Sequence, residues 1–489
     1  MATISILDLP DDVFREIFTE LEMSDHERFF DFALVCRFFH RLAFALPFDE
    51  SLSLSSNGPL NSKLEDLIDN VAKSLRDGFV SEEAADAALV EGARARFETT
   101  PFFRTANKFA VVALAASDAP SCLLPLLAEL FPATESLYFE AVNAYLKMTK
   151  EEDEDGPTSP ARKLHEVSFL GFSNLKSLTI GEILSFKKLH LPKSLLSLKI
   201  SADADDVQYA PEVGEDIAGC TNLSTLRANF SIPLQSFRKL VALKLKIQSR
   251  RDSENLERLS SEVLEQLELQ FERNAPDLFC FPKLSKFGKS LRTLVIKKSI
   301  PIPNECVEGL ELTGLQLYSS NYHHLLLPFA TQKKLRTLSI FRSDMFPSNE
   351  IQIIANLSSL TELSLHGTIR FESMRYLFPR FGSLRRLILD IRASPQNPYH
   401  EQNLQEIITH CSLDNLLHLG FQNTPISLPV IQSIGRFNNL RSLSLSSGLH
   451  KVAEFCPTVG LSRLRAAEIF SRRMIGSPTS ENCHSETLH

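Results

Sequence analysis

The feature that most constrains how this chain can fold is a leucine motif that recurs through its C-terminal two thirds. The motif reads Leu-x-x-Leu-x-(Leu/Ile); ten copies keep it and three more are looser. The first leucines of the thirteen copies are Leu175, Leu195, Leu223, Leu240, Leu264, Leu291, Leu312, Leu335, Leu360, Leu384, Leu416, Leu440 and Leu464. Successive copies are about 24 residues apart on average, a period typical of proteins built from stacked structural repeats.

The spacing inside the motif predicts a short strand with its leucines on one face, because successive strand residues point to opposite sides. Parallel stacking of such strands buries the leucines, and the return segments cover them. The returns at 350–357, 404–411 and 429–437 have helical character. The sequence therefore predicts an α/β solenoid over residues 136–475, with parallel strands on the concave face and helical or irregular returns.

This region resembles the leucine-rich repeat superfamily, with one departure. The ninth position of each copy, where the superfamily usually has Asn, is another residue in all thirteen copies. We therefore expect no asparagine ladder and a less regular coil. Leu137 with Phe139, and Leu164 with Val167 and Phe169, are candidate opening copies whose register the sequence leaves open.

Charge and cysteine content narrow the class of protein. The net charge is −8, of which residues 1–160 carry −16 and residues 161–489 carry +8. The pI near 6.0 argues against nucleic-acid binding, for which a strongly basic domain is expected. The eight cysteines are scattered without metal-ligand spacing. This disfavours zinc fingers and secreted disulfide scaffolds and favours a reduced cytosolic or nuclear environment. No apolar run reaches the roughly 18 residues of a membrane helix.

Residues 4–48 have a different pattern, that of a small helical module. Pro10 suits the first turn of a helix, and Val13 and Ile17 begin an apolar stripe at helical spacing. A capping box at 24–27 predicts the start of a second helix. A module this short cannot bury all of its apolar side chains alone, so another surface should cover them.

The segment LDLPDDVFREIFTEL…FALVCRFFHRLA resembles an F-box over residues 5–46. It has the Leu-Pro start, the hydrophobic first helix and the late Leu-Val-Cys-Arg followed by aromatic residues, with Phe39 where Trp is common. The resemblance implies binding to a Skp-type adaptor and, through it, to a cullin scaffold carrying a RING subunit and a ubiquitin-charged E2. The adaptor-binding residues that it implies are Leu9, Pro10, Val13, Ile17, Phe18, Leu34, Val35, Cys36 and Phe39.

The remaining segments are connecting or terminal in character. Residues 49–135 are predicted to form a helical connector that holds the F-box and the repeats at a fixed angle. The acidic run near 150–160 predicts a solvated loop. The polar residues 476–489 predict a disordered tail.

No catalytic, metal-binding or cofactor-binding signature is present in the sequence, so we expect a chain without its own active site. The resemblance implies a receptor subunit that works by proximity, raising the effective concentration of a substrate lysine near the E2.

The fifth and seventh positions of each copy are expected on the concave face, where a protein substrate would bind. In copies two to four they supply a cluster of cations: Lys199, Arg227, Lys244 and Lys246. The seventh positions of copies six to nine supply a largely aromatic segment: Lys297, Tyr318, Phe341 and His366. These residues predict a substrate with an acidic or phosphorylated element next to an apolar anchor. An equally favoured alternative is that these cations form a solvated face with no substrate role, or that they pair with the acidic loop.

Together these features predict an intracellular substrate receptor of an SCF-type ubiquitin ligase, located in the cytoplasm, the nucleus or both. The alternative is a repeat scaffold without ligase function, in which residues 4–48 only cap the array. A nucleic-acid-binding module using the cations is a further alternative, which the modest charge of +8 over residues 161–489 argues against.

Overall fold

The structure is a computed structural model in which most of the repeat region is described. The described residues are 51–54, 82–99, 113–117, 121–140, 165–181, 186–200, 211–271, 281–297, 301–319, 325–369, 377, 382–390, 405, 408, 415–421, 428–445 and 466–468. The predicted F-box at 4–48, acidic loop at 150–160 and tail at 476–489 lie outside these residues. The chain divides into two units, residues 1–245 with 258–262, and residues 246–257 with 263–489.

The elements follow the motif, one short strand for each copy. The strands are β1 (Ser51–Leu54), β2 (Ala113–Ser117), β3 (Ser136–Glu140), β4 (His165–Ser168), β5 (Ser177–Ile180), β6 (Phe186–His190), β7 (Ser197–Ile200), β8 (Thr225–Ala228), β9 (Ala242–Ile247), β10 (Gln266–Phe271), β11 (Thr293–Lys297), β12 (Gly314–Ser319), β13 (Thr337–Met345), β14 (Glu362–Thr368), β15 (Arg386–Asp390), β16 (His418–Phe421), β17 (Ser442–Leu445) and β18 (Ala466–Glu468). The α-helices are α1 (Glu82–Thr99), α2 (Leu124–Leu130), α3 (Pro211–Ala218), α4 (Arg250–Arg258), α5 (Asn304–Val307), α6 (Ser348–Asn356) and α7 (Leu428–Ile434).

In the first unit, parallel strands stack in the order β1, β2, β3, β5, β7, β8 and β9. The fourth motif residue is paired with its counterpart on the next strand, as in Leu178 with Leu198 and Leu198 with Leu226. Each of these three leucines is fully buried. The alternation of buried and exposed residues therefore confirms the strand ladder that the leucine spacing predicts.

The two candidate opening copies have different outcomes. Leu137 and Phe139 lie on β3 and pair with Leu178 and Ile180 of β5, so they belong to the ladder. In contrast, β4 contains Val167 and pairs with β6 in a separate two-stranded sheet built from return segments. Helix α3 packs beside this pair, where the N–H of Leu189 donates to Asp216 Oδ2 at 2.9 Å. The segment around Val167 is thus a return strand and not a repeat copy.

The predicted helical connector at 49–135 contains strands as well as helices. Helix α1 and helix α2 agree with the prediction, but β1 and β2 pair in parallel with each other and β2 pairs with β3. Leu52 lies opposite Leu114, and Leu114 lies opposite Leu137. Purely helical character was therefore the wrong interpretation, because these strands join the ladder without carrying the full leucine motif.

In the second unit, β10 to β18 stack in parallel and in chain order. The fourth motif leucine again meets its counterpart, for example Leu338 between Leu315 and Leu363. Helices α6 and α7 form the returns predicted as helical at 350–357 and 429–437. Of the return predicted at 404–411, the structure describes Gln405 and Ile408, both helical.

Hydrogen bonds from the residue before the first leucine connect successive coils. Asn174, Asn222 and Asn415 donate through Nδ2 to main-chain carbonyls of the preceding coil. Ser194 and Ser383 do the same through Oγ, to Leu175 and Leu360 respectively. The ninth position carries no asparagine, as the sequence shows, and this upstream position supplies bonds between coils instead.

Candidate functional site

The face of each sheet opposite the buried leucines carries the third, fifth and seventh motif positions. On β7, for example, Leu198 and Ile200 are buried whereas Lys199 between them is exposed. We call this side the open face. The side chains of the open face contribute little to the core, so packing does not dictate their residue types. Their chemistry can therefore indicate what kind of ligand the face would bind.

In the first unit, the fifth motif position forms a row of three cations on adjacent strands, here called the cation row: Lys199, Arg227 and Lys244. The pairing register places Arg227 directly between Lys199 and Lys244. Lys199 and Arg227 are exposed, and Lys244 is half-buried. Lys246, the fourth predicted cation, is only 8% exposed and does not share this accessible surface.

Two members of the cation row, Lys199 and Arg227, are not neutralised by acidic neighbours. Within the described part of the chain, Lys199 and Arg227 have no carboxylate at ion-pair distance. The third motif position beside them carries Ser197 and Thr225, which lie opposite each other. Like charges directly opposite each other on neighbouring strands are destabilising. The opposed charges of Lys199 and Arg227 therefore repel each other, and an anionic ligand would offset this repulsion.

In the second unit, three rings stack on the open face and form what we call the ring row: Tyr318, Phe341 and His366. The rings of Tyr318 and Phe341 have centroids 4.3 Å apart and planes 4° apart. The rings of Phe341 and His366 follow at 4.1 Å and 11°. The register pairs the three residues across β12, β13 and β14. The structure thus brings together three of the four residues predicted as an aromatic segment.

The fourth predicted residue, Lys297, closes one end of the ring row. Its Nζ lies 5.5 Å from the centroid of the Tyr318 ring, a cation–π distance. The same Nζ forms an ion pair of 2.8 Å with Glu268 Oε1. Lys297 is therefore neutralised locally, in contrast to Lys199 and Arg227.

Both nitrogens of His366 contact side chains of the protein. Nε2 lies 2.8 Å from Ser364 Oγ, and Nδ1 lies 3.4 Å from Asp390 Oδ2. Burial lowers the pKa of His366 below its ordinary value, and the hydrogen bond and charge of Asp390 oppose this in part. The imidazole is therefore neutral at pH 7, where Nδ1–H donates to Asp390 and Nε2 accepts from Ser364.

The hydroxyl of Tyr318 is also engaged, as it accepts a hydrogen bond of 2.8 Å from Gln316 Nε2. The polar atoms of the ring row are thus bound from within the fold, and the row presents mainly ring edges to solvent. Sequence reasoning did not select Gln316, Ser364, Asp390 or Glu268. They occupy fifth and seventh motif positions, so extending the same positional reading to every copy would have found them.

Ser364, His366 and Asp390 have the order of contacts found in hydrolytic triads. However, β14 is paired with β13 and β15 on its two sides, so its main-chain N–H groups serve the sheet. Such triads also require donors aimed at a developing oxyanion. The geometry instead supports a positioning role, in which Ser364 and Asp390 fix the plane of the imidazole against Phe341.

A buried ion pair lies directly beneath the ring row. Arg342 follows Phe341 on β13, and its Nη1 lies 2.7 Å from Glu350 Oε2 on α6, with both side chains fully buried. Glu350 Oε1 also accepts the main-chain N–H of Leu325 at 2.6 Å. This pair links strand, helix and an adjacent turn, and so holds β13 in position below the rings.

The described residues offer little other chemistry. Among them, no group of His, Cys, Asp and Glu is arranged to hold a metal ion, and no helix is long and apolar enough to cross a membrane. Burial raises the pKa of the Cys122 thiol to about 12 and that of Cys220 to about 11. These two thiols are therefore protonated and poor nucleophiles.

All nine predicted adaptor-binding residues lie outside the described residues, so their role stays a prediction. Residues 6–50 match the F-box domain family. No curated protein matches the sequence significantly.

Several solved structures are similar in fold. An internalin from Listeria monocytogenes shares 18% identity over 62% of this chain and 84% of its own, with a TM-score of 0.34. A leucine-rich repeat protein from Leptospira interrogans shares 15% sequence identity. The match covers 70% of this chain and 93% of the Leptospira protein, with a TM-score of 0.33. A chain of the Toll–Spatzle complex from Drosophila shares 14% sequence identity. The match covers 61% of this chain and 46% of that one, with a TM-score of 0.35. The chain combines an F-box domain with an α/β leucine-rich repeat fold, and the repeats are evident from its own strand ladder and leucine spacing.

Proposed function

We propose that this chain is the substrate-recognition subunit of an SCF-type E3 ubiquitin ligase. The F-box match at residues 6–50, ahead of a leucine-rich repeat fold, is the observation that carries the proposal. The F-box binds a Skp-type adaptor and, through it, the cullin–RING scaffold, while the open face of the repeats holds a protein substrate. The chain is a non-catalytic receptor that acts in the cytoplasm or nucleus.

The cation row supports an acidic or phosphorylated element in the substrate. Arg227 offers a planar guanidinium for bidentate contact with a phosphate or carboxylate, and Lys199 and Lys244 flank it on neighbouring strands about 4.8 Å away. The hydroxyls of Ser197 and Thr225 add neutral donors on the same face. Three cations within this span suit a single compact anion better than an extended polyanion.

Adaptor binding is tested by co-purification of the full chain with a Skp-type adaptor. The control is a Leu9→Ala/Pro10→Ala/Ile17→Ala variant whose folding is checked by circular dichroism. Capture by the parent and loss of capture by the folded variant support the proposal. A parent that does not bind the adaptor excludes it, and residues 4–48 are then a cap on a repeat scaffold.

The anion site is tested with a labelled glycine–serine peptide that carries phosphoserine, Asp or Ser at one position. We expect binding to the phosphoserine and Asp peptides and loss of both in Lys199→Ser/Arg227→Ser/Lys244→Ser. A matched control, Lys193→Ser/Arg238→Ser/Lys239→Ser, removes the same charge from exposed residues between the strands. Equal losses in the two variants would mean that only overall charge matters and would reject a specific site.

A further inference from the structure

The ring row is a second binding element, distinct in chemistry from the cation row. Its members are half-buried on the open face of β12, β13 and β14 and are stacked face to face along their whole length. Their faces are therefore occupied by each other, and what they offer to a ligand is a ridge of ring edges.

The edges of aromatic rings carry partial positive charge and the faces carry partial negative charge. A ligand that complements this ridge presents a ring face to it and makes edge-to-face contacts with neighbouring rings of the row at once. An aliphatic side chain of the same size gains the burial but not this electrostatic contact.

The polar groups around the ridge favour an uncharged occupant. Gln316 engages the hydroxyl of Tyr318, and Ser364 and Asp390 engage the two nitrogens of His366. Glu268 pairs with Lys297 at the end of the row. The cation at the end of the ring row is paired and His366 is neutral, whereas the cation row has two exposed charges without an ion-pair partner among the described residues.

We propose that the ring row is an anchor site for an aromatic side chain of a bound protein segment, laid face down on the edges of Tyr318, Phe341 and His366. This inference rests on the proposed receptor function for the identity of its ligand as a protein. A nucleobase also has a ring face, but the paired Lys297 gives little support to a phosphate backbone, so a protein segment is favoured.

The absence of Trp from this chain makes a direct test possible. A glycine–serine host peptide with one central Trp is titrated with the full chain, which adds no Trp emission of its own, and the peptide's emission is followed. We expect a saturable blue shift. Host peptides with Phe should displace the Trp peptide, and those with cyclohexylalanine should do so about two- to tenfold less well.

Variants test whether the rings are responsible. Phe341→Leu keeps an apolar side chain but removes the central ring, and should weaken binding of the Trp peptide by about two- to tenfold. Tyr318→Leu serves as a second variant if Phe341→Leu does not fold. Ser444→Ala, on the open face of β17, is the matched control and should bind as the parent does.

Several outcomes overturn the proposal. The first two are the absence of a blue shift with the parent, and equal competition by the Phe and cyclohexylalanine peptides. The other two are unchanged binding by the folded leucine variants, and stronger displacement by a single-stranded oligonucleotide than by the Phe peptide. Adaptor capture is measured on the same preparations. If the chain captures the adaptor but does not bind the Trp peptide, only the aromatic anchor site is rejected. If the chain binds the Trp peptide but captures no adaptor, the ligase function is rejected and the anchor site belongs to a repeat scaffold.

Discussion

At the scale of single residues, His366 shows how a ring on the open face is held in place by its neighbours. Its ring is held by Ser364 and Asp390 and stacked on Phe341, and burial lowers its pKa below the ordinary 6.5. A histidine whose pKa is lowered by folding binds a proton more readily in the unfolded state. Its neutral form therefore contributes stability that is present above pH 6.5 and declines as the pH falls below that value.

The first prediction concerns this titration. We expect an NMR titration of the His366 ring protons to give a pKa below 6.5, and Asp390→Asn to lower it further because the carboxylate favours the charged ring. A pKa that rises or stays constant in Asp390→Asn would contradict the described contact.

The second prediction concerns the buried pair of Arg342 and Glu350. Arg342→Met removes one partner and leaves a fully buried carboxylate uncompensated, which typically costs about 3–5 kcal/mol. In Arg342→Met/Glu350→Gln the charge is gone and the amide oxygen can still accept the N–H of Leu325. We expect the double variant to recover most of the lost free energy of unfolding in urea denaturation. A double variant no more stable than the single one would show that packing, and not charge, dominates at this site.

At the scale of elements, the strands and their coils are joined by different bonds. The strands pair through the main chain, whereas side chains just before the first leucine bind carbonyls of the preceding coil. Ser383 makes one such contact, in which its Oγ donates a hydrogen bond of 2.8 Å to the carbonyl of Leu360. Ser383→Ala should lower the free energy of unfolding by about 1 kcal/mol. Ser444→Ala, which removes a hydroxyl from the open face instead, should change it by much less.

At the scale of the whole molecule, the proposed function assigns adaptor binding and ligand binding to separate parts of the sequence. In a reconstituted reaction, ubiquitin transfer to a phosphoserine peptide with one lysine should require both. Leu9→Ala/Pro10→Ala/Ile17→Ala should lose adaptor capture and keep peptide binding, because the substituted residues are remote in sequence from the repeats. Lys199→Ser/Arg227→Ser/Lys244→Ser should do the reverse. A variant that loses both activities while remaining folded would contradict this separation.

The sequence by itself determined the repeat fold and the residues of its open face, because a strand alternates its side chains with a period of two. Leucines at the first, fourth and sixth positions therefore had to be buried, and Lys199, Arg227, Tyr318 and Phe341 had to face away from them. Periodicity of this kind is a local property, and a local property can be read from the chain without knowing what packs against it.

Only the tertiary structure decided what depends on the neighbouring strand or coil. The stacking of Tyr318 on Phe341, the contact of His366 with Asp390 and the burial of Lys246 all depend on register and on relaxed side-chain positions. Likewise, β1 and β2 pair with the ladder although they lack the full motif, since main-chain hydrogen bonds between strands do not require leucine. Contacts between residues far apart in sequence are set by packing, which the leucine spacing specifies only on the buried side.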